Sequence, residues 1–357
     1  MKASKSSYTI FKPRLRRRIL FWAVILIPII IGAILLDYIW TTSSRLDDER
    51  SSGQIITPIP FEEMNDEREY NASDVVPLAD SRFLFCDNNS KHALFELDLG
   101  KDGRKNGPLI ERPLEGLSPK GIDDMEAMTI AEEKGRRFIF VASSLSLKNS
   151  KKGKSPKVRR SGLLRVTVNP DNSLSAENMA GFRDWFVENA PAIAAAATRL
   201  PDEGGLNVEG LAWDRERHTL LFGLRSPLSD GYPLIIPVRV NDLNGPWTTD
   251  NLKMLPPIRL SLDADVGLQG IRSIEYVESF HAFLIVLGKA ISGEKAPFEL
   301  YEWKGERQGK LHQLDVSFAK KMKPEGLTNG TVAGRPVILF VDDRGGYQVL
   351  WLDKARL

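Results

Sequence analysis

Four copies of a short acidic phrase constrain this chain more than any other feature: Asp124-Met-Glu126-Ala-Met, Asn207-Val-Glu209-Gly-Leu, Ser273-Ile-Glu275-Tyr-Val and Pro324-Glu325-Gly-Leu. Each is followed, after a polar turn-like stretch, by a dense apolar run, at residues 138–141, 219–224, 282–287 and 336–341. Recurrence at intervals of tens of residues indicates supersecondary units that cannot bury their apolar faces singly and must stack or close on one another. A carboxylate at the head of a repeated strand pair is the pattern expected of blades around an axis. The glutamates are unevenly spaced, so insertions lengthen the earlier units.

A unit without the opening glutamate, residues 74–97, has the same strand–turn–strand–strand grammar. The others run over 124–168, 207–240, 270–303 and 324–352, with Val, Ile, Leu and Phe clusters separated by Gly, Asp and Asn turns. The expected fold is all-β, a β-propeller with five recognisable blades; a sixth blade would have to lack the motif. The last unit ends at Leu352 without room for an outer strand. Residues 55–59 are the candidate to complete it and close the ring. With 42% hydrophobic and 27% charged residues the chain has the composition of a globular protein, and 49 basic against 47 acidic residues exclude the charge asymmetry of a nucleic-acid binder. Its single cysteine, Cys86, follows Phe83-Leu-Phe and reads as a buried strand thiol rather than a nucleophile.

Ahead of the repeats, residues 19–36 carry no charged or polar side chain, about 27 Å if helical, and Tyr38 and Trp40 extend the run as an aromatic belt. Seven basic and no acidic residues precede it; Asp47, Asp48, Glu49, Glu62 and Glu63 are among the acids that follow. The positive-inside rule then gives a cytoplasmic tail at 1–18, a single-pass signal anchor at 19–40, a polar tether at 41–70 and a propeller at 71–357 on the far side of the cytoplasmic membrane, in the periplasm or outside. Cleavage as a signal peptide is the rival reading, against which stand the length of the apolar run and the lack of an A-x-A site.

Two insertions stand out. Residues 176–200 place Phe182, Trp185, Phe186, Ala190 and Ile193 near a 3.6 period, with Pro191 interrupting, and read as helical cover over one face of the blades. Residues 148–160 hold Lys148, Lys151, Lys152, Lys154, Lys157, Arg159 and Arg160, either a solvated loop or an anion clamp beside the channel. They are not a phosphate-binding P-loop, since Lys148 stands where that loop needs glycine.

Inner strands of a propeller line its central channel, so Glu126, Glu209, Glu275 and Glu325 are expected at one axial mouth, where like charges repel unless neutralised. Arg225, Arg272 and Arg344 supply an internal answer through arginine–carboxylate forks. A hard cation such as Ca²⁺ supplies another, with Asp342 and Asp343 as further candidate ligands and Asp87, Asn88 and Asn207 as further oxygens.

Taken in order, Asn207-Val-Glu-Gly-Leu-Ala-Trp213, Leu221-Phe-Gly-Leu-Arg-Ser-Pro227, Gly270-Ile-Arg-Ser-Ile-Glu275-Tyr, Lys323-Pro-Glu-Gly-Leu327 and Leu339-Phe-Val-Asp-Asp343 resemble the blade motifs of an uncharacterised bacterial domain-of-unknown-function family. That family is itself similar to the phytase-like esterase β-propellers. The resemblance covers roughly residues 70–352 and implies the propeller fold; it implies no reaction. The chain departs from the motif at Ala127, where glycine commonly follows the glutamate.

Other catalytic constellations fail. His92, His218, His281 and His312 fall in turn or surface segments, Ser143-Ser144 reads as a strand-end cap, and G-x-S-x-G, H-E-x-x-H and C-x-x-C are absent from the sequence. The readings left are a membrane-anchored module binding a small anionic ligand or a protein partner at the glutamate-lined mouth, a metal-assisted phosphoester or ester hydrolase, and a scaffold whose glutamates only bridge blades.

Overall fold

The apolar runs become strands, and their pairing is almost wholly between sequence neighbours. The computed structural model describes residues 54–61, 70–149, 155–262, 268–292, 295–307 and 309–353. The tail, the expected anchor at 19–40 and most of the tether lie outside these residues; among the described residues no helix is long and apolar enough to cross a membrane.

The first sheet is built from Ala72–Ala79, Arg82–Asp87, Ala93–Asp98 and Ile110–Glu115. The second uses Met125–Glu133, Arg136–Ser143, Leu163–Val168 and Leu174–Asn178, and its outer strand joins that of the first in parallel, Leu174 opposite Leu114 and Ser175 opposite Glu115, so that these two four-stranded units are continuous. The third uses Asn207–Asp214, Thr219–Ser229, Tyr232–Val240 and Leu252–Met254. Gln269–Val277, Ala282–Lys289, Glu299–Trp303 and His312–Phe318 form the fourth, and Pro324–Val332, Arg335–Asp342 and Gly346–Trp351 the fifth. The opening strands of successive sheets pack on one another, and that of the fifth returns to that of the first. This is a β-propeller. Its core is divided: each apolar cluster lies between two neighbouring sheets, as where Phe85 and Phe95 of the first meet Leu339 and Tyr347 of the fifth.

The segment before the first sheet is shared between the last two. Gln54–Ile56 runs parallel to His312–Phe318 on the outer edge of the fourth sheet, and Ile59–Pro60 pairs antiparallel with Gly346–Trp351 as the outer strand of the fifth. Among the described residues, β-structure is thus present from Gln54, within the span read as tether. These strands are only three and two residues long, and take their stability from the edges they cover. Phe61 follows at once. It is fully buried, stacked on Phe85 at 4.7 Å and on Tyr347 at 5.5 Å, and it seals the seam between the first and last sheets.

The helical insertion is shorter than its periodicity predicts. Leu174–Asn178 is still strand, and α-helix occupies Phe182–Asn189 and Pro191–Ala194, followed by a 3-10 turn at Ala196–Thr198. Pro191 opens the second helix, where its fixed φ and missing N–H cost nothing. Phe182 and Phe186 pack on Phe222 of the third sheet, with centroids 5.5 and 5.1 Å away. The segment continues into Leu200 and Pro201, which form one wall of the cleft described next.

Candidate functional site

Every opening strand carries a β-bulge at the same place. Register slips between Ala72 and Asp74, Met125 and Ala127, Val208 and Gly210, Ile271 and Ser273, and Pro324 and Gly326. A bulge leaves one residue unpaired and re-aims its side chain. The residues so placed are Ser73, Glu126, Glu209, Arg272 and Glu325. Three of the four expected glutamates occupy the repeat position, and the fourth does not: Arg272 takes it, with Glu275 three residues further along the same strand. The signal for this was present in the sequence. Val141, Leu224 and Val341 close their apolar strands 15, 15 and 16 residues after Glu126, Glu209 and Glu325, whereas Leu287 lies 12 after Glu275 and 15 after Arg272.

That substitution turns a ring of like charges into an ion-pair network. The guanidinium of Arg272 contacts Glu209 Oε2 through Nη1 at 2.9 Å and Glu325 Oε1 through Nη2. Arg225 Nη1 donates to Glu209 Oε1 at 2.9 Å, and Asn207 Nδ2 donates to the same oxygen at 2.8 Å. All three ring residues are buried, Arg272 at 3% exposure. Burial acts against the charge of Arg272, and Glu209 holds it. Glu126 is different. It makes no ion pair among the described residues; burial, then the nearby carboxyls of Asp124 and Glu209, push its pKa well above the ordinary carboxyl range.

Directly beneath the ring the axis is plugged. Asp74 Oδ2 accepts the N–H of Met128 in the second sheet at 2.7 Å, and its Oδ1 accepts the hydroxyl of Ser273 in the fourth at 3.3 Å. Ser273 in turn accepts the N–H of Leu327 in the fifth at 3.0 Å. These crossings fit because small residues flank them: a Cβ on Gly326 would lie 2.5 Å from the Asp74 Cα. The ring is thus the floor of a mouth and not the entrance to an open tunnel.

Glu275, two residues after Ser273 on the same strand face, sits below the plug, its Oε1 accepting Asn329 Nδ2 at 3.2 Å. Burial raises its pKa to about 8 from the ordinary 4.5. Below pH 4.5 the group is protonated whether the chain is folded or not; between there and 8 only the unfolded chain releases the proton, so stability falls as pH rises. Denaturant titrations should show Glu275→Gln flatter than the wild type across this window and more stable at pH 8 by about 2 kcal/mol, a figure reduced because the side chain is only half-buried. Parallel wild-type and variant curves would remove Glu275 as the source.

Above the ring lies a cleft of about 250 Å³, with Glu126, Glu209 and Arg225 at its base and Asp124, Lys148 and Arg159 on its side. Of the clamp expected at residues 148–160, Lys151, Lys152 and Lys154 lie outside the described residues. Lys148 Nζ and Arg160 Nη2 meet Asp123 at 3.0 and 2.5 Å, and Arg159 Nε meets Asp124 Oδ2 at 3.1 Å. The two ends of the insertion are pinned to the second sheet by these pairs, so Lys148 and Arg159 face the cleft already partnered. Asp124 also accepts the Ser144 hydroxyl at 2.5 Å, which gives Ser144 the capping role read from sequence.

The remaining candidates do not join the ring. Asp342 Oδ1 accepts the N–H groups of Lys323 at 2.8 Å and Arg344 at 3.3 Å, a turn-pinning role, and Asp343 takes Lys323 Nζ at 2.8 Å. Arg344 is exposed. Asp87 caps its turn through the N–H of Asn89 at 2.8 Å. His218 and His281 occupy left-handed turn positions. Among the described residues no three His, Cys, Asp or Glu side chains converge as cation ligands. Arg272 stands between Glu209 and Glu325, and Asp342 is committed to backbone donors.

No family model and no curated protein sequence matches the chain. Solved structures similar to it include an endo-arabinase from Bacteroides thetaiotaomicron, 12% identical over 86% of this chain and 100% of that one at a TM-score of 0.45. A GH43 β-1,3-galactosidase is 9% identical over 81% and 95% at 0.42, and the WD40 β-propeller domain of Doa1 9% identical over 81% and 95% at 0.34. The propeller assignment rests on the strand pairing above.

Proposed function

We propose that this protein is a membrane-anchored, extracytoplasmic five-bladed propeller that binds a small polar ligand at the ring-floored mouth. The observation that carries the reading is Glu126, a buried carboxyl with no ion pair among the described residues, at the base of an open cleft. Nearby, Glu209 Oε2 and Arg272 Nη1 lie close but misaligned, and neither has a hydrogen bond. Groups of this kind are costly to leave unsatisfied and are met by water or ligand. Arg225, bonded to Glu209 and to the Ala290 carbonyl, lines the same cleft as Glu126. The pair suits a ligand presenting an ammonium or hydroxyl donor to the carboxyl and an anionic group to the guanidinium. The extracytoplasmic, membrane-anchored part of the reading is supported by the apolar run at residues 19–36 with basic residues before it and acidic ones after.

Calorimetric titration of the full chain with O-phosphoethanolamine, with inorganic phosphate and ethanolamine as half-ligands, tests this. Binding of the zwitterion should exceed that of either half and fall about tenfold in both Glu126→Gln and Arg225→Ala. Equal binding in wild type and both variants would sink the reading. Calcium-dependent phosphoester or ester hydrolysis is the competing proposal. Repeating the titration with CaCl₂ separates the two, since that proposal requires a calcium heat signal lost in Glu209→Gln.

A further inference from the structure

The same end of the molecule carries a second concavity that none of the foregoing uses. Between the fourth and fifth sheets a groove of about 390 Å³ is lined on one side by Lys289, Lys320, Lys321 and Arg344 and floored by Phe298 and Met322. Lys289, Lys320, Lys321 and Arg344 make no side-chain ion pair among the described residues; Lys323, at the groove's edge, is held by Asp343 at 2.8 Å. Asp343, and Asp342 beside Arg344, are the neighbouring carboxylates; four cations lining one groove without a paired acid repel one another, and a bound anion relieves that repulsion.

The floor is built rather than incidental. Phe298 lies over the chain at Gly288, where a Cβ would meet its ring at 2.6 Å, and the Arg272 guanidinium sits 5.8 Å from its centroid. Pro297 is fixed by Gln269 Nε2, which donates to its carbonyl at 3.1 Å. Phe318, also lining the groove, is braced edge-on against Phe340 at 5.5 Å. Both phenylalanine rings remain partly exposed toward the groove. An apolar floor beside converging ammonium and guanidinium groups discriminates by two criteria at once, charge on one part of the ligand and apolar body on the other.

We infer that this groove binds a phosphate ester with an apolar body, its phosphate held by Lys289, Lys320, Lys321 and Arg344 and its alkyl or aryl part lying on Phe298 and Phe318. The same chemistry comes from a soluble phosphate ester or from an anionic lipid headgroup with its first methylenes. This site is separate from the mouth, whose Glu126 and Arg225 do not line it.

Hexyl phosphate, titrated calorimetrically into the full chain in maltoside detergent, is the probe. It should bind at least tenfold more tightly than inorganic phosphate or hexyl glucoside, and the exposed pair Lys320→Gln/Lys321→Gln should weaken it about tenfold without changing the melting temperature. Arg225→Ala, which empties the mouth reading, should leave it unchanged. Flotation with phosphatidylglycerol vesicles, competed by hexyl phosphate, assigns the lipid as the source; hexyl phosphate binding without flotation assigns a soluble ester. No binding of hexyl phosphate, equal binding of hexyl glucoside, or an unaltered affinity in the double variant overturns the inference.

Discussion

Arg272→Met is expected to destabilise the propeller by about 3–5 kcal/mol, the cost of leaving buried carboxylates without their cation. For a chain of this size that is a fall in melting temperature of roughly 10 °C. Arg272 is 3% exposed and stands between Glu209 of the third sheet and Glu325 of the fifth, so its loss leaves Glu325 without its cation and Glu209 with Arg225 alone. The penalty arises from the orphaned carboxylates, not from the pair's intrinsic worth, because desolvation offsets most of what a buried ion pair gains. Glu209→Gln/Arg272→Met/Glu325→Gln should therefore recover at least half of the lost stability. If the single variant melts with the wild type, the ring does not hold these sheets together. If the triple variant is no better than the single, desolvated charge is not the cause.

Phe61→Ala is the second large effect, also about 3–5 kcal/mol. Its ring is fully buried between Phe85 and Tyr347 and follows the two-residue strand that completes the fifth sheet. A propeller is closed by the strands that bridge its first and last sheets, so a cavity at this seam weakens closure as well as packing. Limited proteolysis should cut the variant faster than the wild type, and denaturant titration should give a lower midpoint. Ile55→Ala supplies the contrast. Ile55 belongs to the neighbouring edge strand but is 68% exposed, and its loss should stay within about 0.5 kcal/mol. Equal effects for the two would mean that the segment contributes by backbone pairing alone.

Strands and hairpins were legible because their signals are local. Alternation, β-branched runs and Gly or Asp turns lie within a few residues of one another, so the opening strands of the second to fifth sheets could be found at their acidic phrases. The register of the bulge was not legible in the same way. Ser273-Ile-Glu275 mimics the phrase Asn207-Val-Glu209, and only the distance to the end of the next strand shows that Arg272 is the true counterpart of Glu209. Asp74 was missed as well. It was read as part of a unit lacking its glutamate, whereas it fills the axis and bonds to the second and fourth sheets. Nothing near it in sequence marks it for that place, since its partners Met128 and Ser273 are brought to it by ring closure.

By itself the sequence determined the repeat, the β-class, the order of the strand units and the gathering of Glu126, Glu209, Glu325 and Arg225 toward one mouth. Those follow from short-range pattern and from the radial geometry that a repeat of hairpins imposes. Tertiary structure decided that an arginine completes the ring, that a buried aspartate closes the axis, that Phe61 seals the wheel and that Lys289, Lys320, Lys321 and Arg344 meet over Phe298. Each of these depends on which residue a bulge turns inward or on contacts between distant sheets, and both are settled only when the opening strand of the fifth sheet packs back against that of the first.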